Sequence, residues 1–221
     1  MEKKEYLYKI LVIGDNAVGK SSIVRRYVHN FFTDRYKATI GVDFAMKVLN
    51  WGENTIVRLQ LWDIAGQEMT RQLNRVFYNE ASGCITVYDV TRPSTFKAVA
   101  DWKNEIDEKV QLPNGQPIPC ILFANKCDVI DGGDDTIDTP PQIAKEVMDE
   151  YSEKFGFADW FLTSAKENIN LEIGIRKLVS KILENHSRLD VEKPIKRAEN
   201  NVQLKGAPNT KGNKTNKEGC C

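Results

Sequence analysis

Apolar runs alternate with amphipathic stretches along most of this chain of 221 residues. Short, mostly apolar runs predict strands, and segments in which apolar residues recur every three or four positions predict helices. The predicted strands cover residues 9–14, 42–50, 55–63, 83–90, 118–125 and 160–164. The predicted helices cover residues 20–30, 71–80, 94–110, 140–155 and 168–186. This alternation indicates a doubly wound α/β sheet.

The second and third predicted strands differ from the others in their pattern. Residues 51–54, Trp-Gly-Glu-Asn, predict a tight hairpin between them, and apolar positions alternate with polar ones over residues 57–61. The other strands are nearly all apolar, which is typical of parallel strands that are covered on both faces. We therefore expect a mostly parallel six-stranded sheet with one antiparallel edge strand and about five helices, in one domain over residues 1–187. Ligands of such sheets bind beyond the carboxyl ends of the strands.

Residues 14–21, Gly-Asp-Asn-Ala-Val-Gly-Lys-Ser, match the phosphate-loop pattern G-x-x-x-x-G-K-[ST] between a predicted strand and a predicted helix. The glycines allow backbone N–H groups to face an anion, and the start of the helix adds a partial positive charge. The Lys20 ammonium would lie between the outer phosphates of a nucleotide, and the Ser21 hydroxyl can bind Mg²⁺. The residues predicted to contact the phosphates are Asp15, Asn16, Ala17, Val18, Gly19, Lys20, Ser21 and Ser22. The alternative, an ordinary turn with a solvated lysine, leaves the strand–loop–helix context unexplained.

Residues 125–128, Asn-Lys-Cys-Asp, follow the fifth predicted strand and suit a guanine base. The Asp128 carboxylate can accept two parallel hydrogen bonds from the ring N–H and the exocyclic amine of guanine, whereas adenine has no such pair of donors. The Lys126 stem would cover the face of the base, and Asn125 would tie this loop to the phosphate loop. A backbone N–H of residues 164–166 can reach the guanine carbonyl. The residues predicted at the base are Phe32, Asn125, Lys126, Asp128, Ser164, Ala165 and Lys166.

Segments beside the second and third predicted strands complete a metal and phosphate site. Asp63 ends an apolar strand, so that its carboxylate can hold Mg²⁺ through a water molecule. Thr39 can add a hydroxyl to the same ion and an N–H to the last phosphate, which makes Ser21, Thr39 and Asp63 the predicted metal ligands. Gly66 allows a second backbone N–H to approach the last phosphate, and Gln67 can orient an attacking water.

The predicted catalytic residues are Gln67 and Lys20, since phosphoryl transfer to water needs positioning and charge neutralisation more than covalent chemistry. No arginine is clearly placed in the site by its sequence position, and Arg71 and Arg75 are expected to be solvated helix residues. We therefore expect slow intrinsic hydrolysis of GTP that depends on an activating protein.

Taken together, these segments resemble a small GTPase of the Ras superfamily and, within it, the Rab family. Residues 39–44, Thr-Ile-Gly-Val-Asp-Phe, are similar to the Rab form of the first switch, and the final Cys220 and Cys221 are similar to a Rab prenylation signal. The resemblance covers about residues 8–186 and the last two residues. It implies a switch that binds GTP or GDP with Mg²⁺ and recruits effectors to membranes in vesicle trafficking. The residues that match a Rab effector surface are Ile40, Phe44, Trp62 and Phe77.

The resemblance also implies partners and a location. A Rab protein has an exchange factor, a GTPase-activating protein and a GDP-dissociation inhibitor, and a prenyltransferase with its escort protein would attach geranylgeranyl chains to Cys220 and Cys221 as a lipid anchor. Residues 62–68, 47–51 and 112–115 are similar to the subgroup of lysosomes and lysosome-related organelles. The expected location is the cytoplasmic face of an endosomal, lysosomal or lysosome-related membrane, with cycling through the cytosol. We expect no nucleic-acid partner.

Three positions bear on how far the family pattern applies. Met69 and Thr70 stand where most Rab proteins have Arg and an aromatic residue, which leaves the regulators of the second switch open. Asn16 stands where Ras has a glycine, and its side chain would crowd the last phosphate and slow hydrolysis. Ile64 is expected to pack under the second switch and not to take part in catalysis.

Two other classes of function stay open at this point. An ATP-using phosphate-loop enzyme, such as a kinase, would need a different base-recognition segment, and Asp128 speaks against it. A nucleotide-locked membrane scaffold that cycles little is disfavoured by Gln67 and left open by Asn16.

Charge is distributed unevenly, although the formal net charge is zero. Residues 188–219 contain eight Lys and Arg against four Asp and Glu, which gives +4, so that the rest of the chain carries −4. We expect residues 188–221 to be a flexible basic tail that ends in a prenylation signal and favours an anionic membrane surface. No signal peptide and no run of about 18 apolar residues is found, so we expect a cytosolic protein unless a lipid is added.

Cysteines and histidines give weaker signals. Cys84, Cys120 and Cys127 lie in or beside apolar runs and are expected to be buried thiols. His29 and His186 are expected at the surface or in packing contacts, without a catalytic role.

Overall fold

The computed structural model describes residues 3–35, 37–66, 77–130 and 143–192. The strands of this part of the chain are β1 (Lys4–Ile13), β2 (Val42–Gly52), β3 (Thr55–Ile64), β4 (Ala81–Asp89), β5 (Cys120–Asn125) and β6 (Asp159–Thr163). They form one sheet in the spatial order β2-β3-β1-β4-β5-β6. Strand β2 pairs antiparallel with β3 at one edge, and the other strands run parallel. The predicted α/β sheet with one antiparallel edge strand is confirmed.

Strand β1 starts earlier than predicted. It pairs with β3 in continuous register from Lys4 opposite Thr55. Residues 4–8 are Lys-Glu-Tyr-Leu-Tyr, so that this stretch begins with two charged residues and lacks the aliphatic run on which the prediction rested. The other strand ends lie within two residues of their predicted positions, and the β2–β3 turn lies between Gly52 and Thr55 as the predicted hairpin requires.

The helices of the described residues are α1 (Lys20–His29), α2 (Pro93–Lys97), α3 (Val99–Lys109), α4 (Lys145–Phe155) and α5 (Leu171–Glu192). The prediction of one helix over residues 94–110 is wrong, because a turn at Ala98 separates α2 from α3. Ala98 keeps right-handed helical angles (φ −75°, ψ −13°), which is why the apolar periodicity does not reveal the break.

Helix α4 begins later than the predicted residue 140. Ala144 has an extended backbone (φ −62°, ψ 132°), so that the helix begins only at Lys145. Residues 140–142 lie outside the described residues. Of the predicted helix 71–80, the last four residues form a turn and the others also lie outside the described residues.

Helix α5 begins at Leu171 and not at residue 168. Asn168 and Asn170 take positive φ angles of 58° and 55°, which a right-handed α-helix excludes. Both residues belong to the loop that follows β6.

Two apolar cores cover the two faces of the sheet. On β1, Ile10 and Val12 belong to the core under α1 and α5, whereas Leu11 and Ile13 belong to the core under α3 and α4. All four side chains are fully buried. Burial on both faces explains why the central strands read as continuous apolar runs, and it makes the sheet a firm base for the loops at its carboxyl edge.

The structure also shows the surroundings of the residues with weaker sequence signals. His29 is exposed, and His186 packs edge-on against Tyr6 with ring centroids 5.3 Å apart. Ile64 is fully buried. Among the described residues, no helix has the length and apolar character that crossing a bilayer requires. Cys84, Cys120 and Cys127 are buried free thiols, as expected.

Candidate nucleotide-binding site

A cleft of about 500 Å³ opens at the carboxyl ends of the parallel strands. The loops that follow β1, β3, β5 and β6 contribute to its wall. The predicted site residues that line it are Asn16, Ala17, Gly19, Lys20, Ser21, Ser22, Phe32, Thr39, Gly66, Asn125, Lys126, Asp128, Ala165 and Lys166. The predicted residues that stand behind this lining and hydrogen-bond to it are Asp15, Val18, Asp63 and Ser164. The fold thus brings segments that are far apart in sequence to one cavity of a size that suits a small ligand.

Lys20 is buried beneath the phosphate loop and is only 6% exposed. Its Nζ donates hydrogen bonds to the carbonyl oxygens of Gly14 at 2.8 Å and Asp15 at 2.7 Å. Burial lowers the pKa of Lys20 to about 8, although the carboxylates of Asp63 and Asp15 oppose the shift. An ammonium that has lost this much water is stabilised by an anion in the cleft.

Three oxygen-bearing side chains meet at the start of α1. The hydroxyls of Ser21 and Thr39 lie 2.7 Å apart, and both donate to Oδ2 of Asp63, the Thr39 bond at 3.3 Å. Asp63 is 3% exposed, and its Oδ1 has no hydrogen-bond partner among the described residues. Burial raises the pKa of Asp63, while hydrogen bonds from Ser21 and the nearby Lys20 charge oppose that rise. Two hydroxyls and a carboxylate with a spare acceptor oxygen form a donor set that fits Mg²⁺.

Asn125 connects the loop after β5 to its two neighbours. Its Nδ2 donates to the Val18 carbonyl oxygen at 2.8 Å, and its Oδ1 accepts the Ala165 N–H at 3.3 Å. A Cβ on Gly19 would lie 2.3 Å from the Asn125 amide nitrogen, and Gly19 itself takes a φ of 103°. Glycine is therefore required where the phosphate loop passes Asn125.

Asp128 lines the same cleft. Its Oδ1 accepts a hydrogen bond of 2.5 Å from the Ser164 hydroxyl, which in turn accepts the N–H of Glu167 at 3.0 Å. The carboxylate is thus oriented by the loop after β6, and Oδ2 is the oxygen left for a second donor.

Lys126 makes a contact that the sequence did not predict. Its Nζ pairs with Oδ2 of Asp89 at 2.7 Å, and the residue takes a left-handed backbone with φ 70°. Asp89 ends β4 and is 1% exposed. Burial acts to raise the pKa of Asp89, but hydrogen bonds from Lys126 and Thr91 outweigh it and hold that pKa below its usual value.

Arg26 on α1 is a second residue that the sequence did not single out. Its Nε donates to the Ala165 carbonyl oxygen and its Nη2 donates to the Lys166 carbonyl oxygen, both at 2.8 Å. The guanidinium also lies 5.8 Å from the ring centroid of Phe32. Arg26 therefore holds the loop after β6 against the end of α1.

The cleft also contains cations whose sequence positions did not clearly place them in the site. Arg25 and Arg35 both line it, as does Lys37. Arg25 lies four residues after Ser21 on α1, so that helical spacing could have placed it on the same face as Ser21. No pattern in the sequence points to Arg35.

Gly66 stands against the phosphate loop. A Cβ at this position would lie 2.4 Å from the Asn16 nitrogen and 2.4 Å from the Asp15 carbonyl carbon. The backbone after β3 can approach the loop this closely only with glycine.

The predicted residues that lie outside the described part of the chain are Gln67, Met69, Thr70, Arg71, Arg75, Cys220 and Cys221.

Of the predicted effector residues, Phe44 lies on β2 and Trp62 on β3, and Ile40 precedes β2. Ile40 is 94% exposed and Phe44 is 66% exposed. Phe44 stacks on Trp62 with ring centroids 6.2 Å apart, in the register that pairs the two residues across the strands. Trp62 and Phe77 are each half-buried.

Known proteins resemble the whole described region. A model of the Ras family matches residues 9–184. The chain is 55% identical to Ras-related protein Rab-32 of Homo sapiens over 185 residues, which are 84% of this chain and 79% of the relative. It is 50% identical to Rab-32 of Sus scrofa over 220 residues (100% and 91%) and 45% identical to Ras-related protein Rab-7L1 of Homo sapiens over 185 residues (84% and 87%). The chain therefore belongs to the Ras family as a Rab GTPase, a protein that binds GTP or GDP with Mg²⁺, hydrolyses GTP and acts in vesicle trafficking.

Proposed function

We propose that this Rab protein is a slow switch, which orders an effector surface at a membrane while it holds GTP and loosens that surface after hydrolysis. The observation that carries the proposal is the cluster of Ser21, Thr39 and Asp63. Through it, the first switch is hydrogen-bonded to both the phosphate loop and the end of β3. Because the exposed Ile40 and Phe44 follow Thr39 closely in the chain, the state of the phosphate site is transmitted to them.

At the phosphate end, Lys20 and the backbone N–H groups of residues 15–22 bind the phosphates. The hydroxyls of Ser21 and Thr39 and the Asp63 carboxylate would hold Mg²⁺. When bound, the ion neutralises charge on the phosphate oxygens. The spare Oδ1 of Asp63 and the buried Lys20 ammonium support these assignments.

At the base end, Asp128 accepts the two donors of guanine, and Ser164 sets the orientation of that carboxylate. Asn125 keeps the base loop beside the phosphate loop, and a backbone N–H of Ala165 or Lys166 meets the guanine carbonyl. The base lies between the ring of Phe32 and the stem of Lys126, both of which line the cleft.

Hydrolysis is slow in this proposal, on the order of 10⁻⁴–10⁻³ per second, as in the Ras case, where an activating protein supplies an arginine. Gln67 orients the attacking water, and Gly66 gives an N–H to the last phosphate. Asn16 lines the cleft with a side chain where Ras has none, which supports a slow reaction. A role for Arg25 or Arg35 as an internal arginine finger would appear as a much faster intrinsic rate.

We also propose that the chain divides into the GTP-binding domain, residues 1–187, and a basic tail, residues 188–221, although helix α5 continues past this boundary to Glu192. In this proposal a prenyltransferase with its escort protein attaches geranylgeranyl chains to Cys220 and Cys221. Two such chains anchor a protein stably to a membrane, whereas one chain does not. A GDP-dissociation inhibitor shields these chains in the cytosol, and an exchange factor reloads the protein. The similarity to Rab-32 and Rab-7L1 supports the cytoplasmic face of lysosome-related organelles as its location.

The first test measures nucleotide selectivity with the full chain. We expect GTP, and not ATP, to displace a fluorescent GDP analogue, since Asp128 recognises donors that adenine lacks. Asp128→Asn should lose most of this preference. Asp149→Asn is the matched control, because Asp149 also accepts a side-chain hydrogen bond, from Trp160 at 2.8 Å, but lies away from the cleft. Displacement by ATP at similar concentrations would support an ATP-using enzyme instead.

The second test measures single-turnover hydrolysis with and without an activating protein. Gln67→Leu is expected to prolong the GTP state in the presence of the activator, because the attacking water loses its orienting group. Equal rates for this variant and the wild-type protein would contradict the role of Gln67. If no activator accelerates the wild-type protein, the nucleotide-locked scaffold is favoured and Asn16 is the residue to replace by glycine.

A further inference from the structure

Arg92 and Asp89 lie behind the phosphate loop, and no role for them follows from the sequence motifs. Arg92 directly precedes α2, and its Nη2 donates to the Asn16 carbonyl oxygen at 2.7 Å. Its Nε donates to Oδ2 of Asp89 at 3.0 Å. The guanidinium therefore spans the distance between a buried carboxylate and the outer turn of the loop.

The Asp89 carboxylate is fully engaged by donors. Oδ1 accepts the N–H of Thr91 at 3.0 Å and its hydroxyl at 2.6 Å, while Oδ2 accepts Arg92 and Lys126. Two cations thus share one buried anion, and one of them belongs to the base loop. Charge-assisted hydrogen bonds of this kind hold their partners in fixed positions more firmly than neutral ones.

The contact with Asn16 determines which way the next peptide N–H points. In a trans peptide the C=O and the following N–H point in opposite directions. With the Asn16 oxygen directed to Arg92 on the α2 side, the Ala17 N–H is directed toward the cleft, which Ala17 lines. Ala17 itself has a φ of 59°, a conformation that a non-glycine residue keeps only when its surroundings impose it.

The same turn is held at two further points. Trp102 on α3 donates its Nε1–H to Oδ1 of Asp15 at 2.9 Å. Gly66 packs against the Asp15–Asn16 peptide, as described above. The turn is therefore enclosed by α2, α3 and the end of β3, so that a change at any one contact reaches the amides of the loop.

We propose that Arg92 is a positioning residue for nucleotide binding: it fixes the Asn16 peptide so that the Ala17 N–H faces the phosphates, and Asp89 couples this hold to the base loop through Lys126. The inference rests on the phosphate-binding role proposed above for residues 15–22. In this arrangement the phosphate loop and the base loop, which bind the two ends of one nucleotide, are both connected to the Asp89 carboxylate.

The test is the rate of GDP release from the full chain loaded with a fluorescent GDP analogue. We expect Arg92→Ala to release GDP about three- to tenfold faster, since one charge-assisted hydrogen bond orients the loop. Arg92→Lys should recover part of the loss, because an ammonium can bind one of the two acceptors but cannot fork between them. Asp89→Asn should release GDP faster than Arg92→Ala, because it frees both Arg92 and Lys126.

Arg58→Ala is the matched control. Arg58 has a side chain 41% exposed, against 42% for Arg92, and its Nε also pairs with a carboxylate, that of Glu5 at 3.2 Å. It lies away from the cleft, and its replacement should leave GDP release unchanged.

A spectroscopic readout separates positioning from general destabilisation. In the GDP-bound protein, Arg92→Ala should move the backbone carbonyl ¹³C resonance of Asn16 and the ¹⁵N resonance of Ala17, while Arg58→Ala should not. Unmoved resonances, or GDP release at the wild-type rate in Arg92→Ala, would overturn this inference and leave the proposed function intact. A wild-type protein that holds no GDP would overturn both.

Discussion

At the scale of single residues, the cleft depends on a few buried polar atoms that share partners. Oδ2 of Asp63 accepts from both Ser21 and Thr39, while Oδ1 is left for a further ligand. Because a buried polar atom is costly when it is unpaired, the Oδ1 atom of Asp63 favours a bound cation. A single replacement in the cluster should therefore change which nucleotide state is preferred.

Ser21→Asn is expected to weaken GTP binding relative to GDP binding by about tenfold or more, because the hydroxyl ligand of Mg²⁺ is lost and the ion contributes most to the triphosphate. Titration calorimetry with each nucleotide at fixed Mg²⁺ measures the ratio of the two Kd values. Repeating the titrations with a chelator is the control, since the difference between variant and wild type should then shrink. A ratio that stays at the wild-type value in Mg²⁺ would argue against Ser21 as a metal ligand.

At the scale of elements, helix α1 contributes to the cleft both directly and by holding the loop after β6. Helix α1 carries Ser21 at its start, and one turn before its end it carries Arg26, which holds the loop after β6 by two carbonyl hydrogen bonds. That loop orients Asp128 through Ser164. The helix therefore connects the metal cluster to the base end of the cleft within a rigid unit.

Arg26→Ala is expected to release GDP about three- to tenfold faster, because the loop after β6 loses both hydrogen bonds to α1. Stopped-flow release of a fluorescent GDP analogue measures the change. Arg176→Ala is the control: its side chain is 46% exposed and pairs with Glu172 one turn away on α5, outside the cleft. Equal release rates for the Arg26 variant and the wild-type protein would show that the loop keeps its position without α1.

At the scale of the whole molecule, nucleotide binding and the proposed membrane attachment involve different parts of the chain. The excess of positive charge lies in residues 188–219, while the nucleotide site lies in the folded part. A lipid anchor supplies most of the membrane affinity, and basic residues add roughly 1 kcal/mol each near an anionic surface. Removing the anchor should thus abolish membrane attachment without affecting nucleotide binding.

Deletion of Cys220 and Cys221 is expected to move the protein entirely to the soluble fraction of cells, because the basic tail alone binds membranes weakly. Fractionation followed by immunoblotting measures the distribution. Deletion of Thr215 and Asn216 shortens the tail by the same amount and keeps both cysteines, so that this variant should stay on membranes. Continued membrane association of the first variant would refute the lipid anchor.

Some features of this protein can be predicted from its sequence, whereas others become visible only in the structure. The α/β sheet with its antiparallel edge strand and most strand ends were predicted correctly, because apolar periodicity in contiguous residues defines them. The break at Ala98 and the late start of α5 were missed, since backbone angles at Ala98, Asn168 and Asn170 leave no trace in apolar periodicity. Arg26 and Arg92 were missed because an isolated arginine looks like any solvated residue until its acceptors are known.

What the sequence by itself determined is local: the strand–loop–helix phosphate site, the guanine segment and the alternation that specifies a parallel sheet all follow from neighbouring residues. What only the tertiary structure decided is the pairing of distant side chains, such as Arg92 with Asn16 across 76 positions and Arg26 with Ala165 across 139. Hydrogen bonds of a few ångströms depend on how loops from different strands converge at one edge of the sheet. That convergence is set by the packing of two cores, which no segment of the chain contains alone.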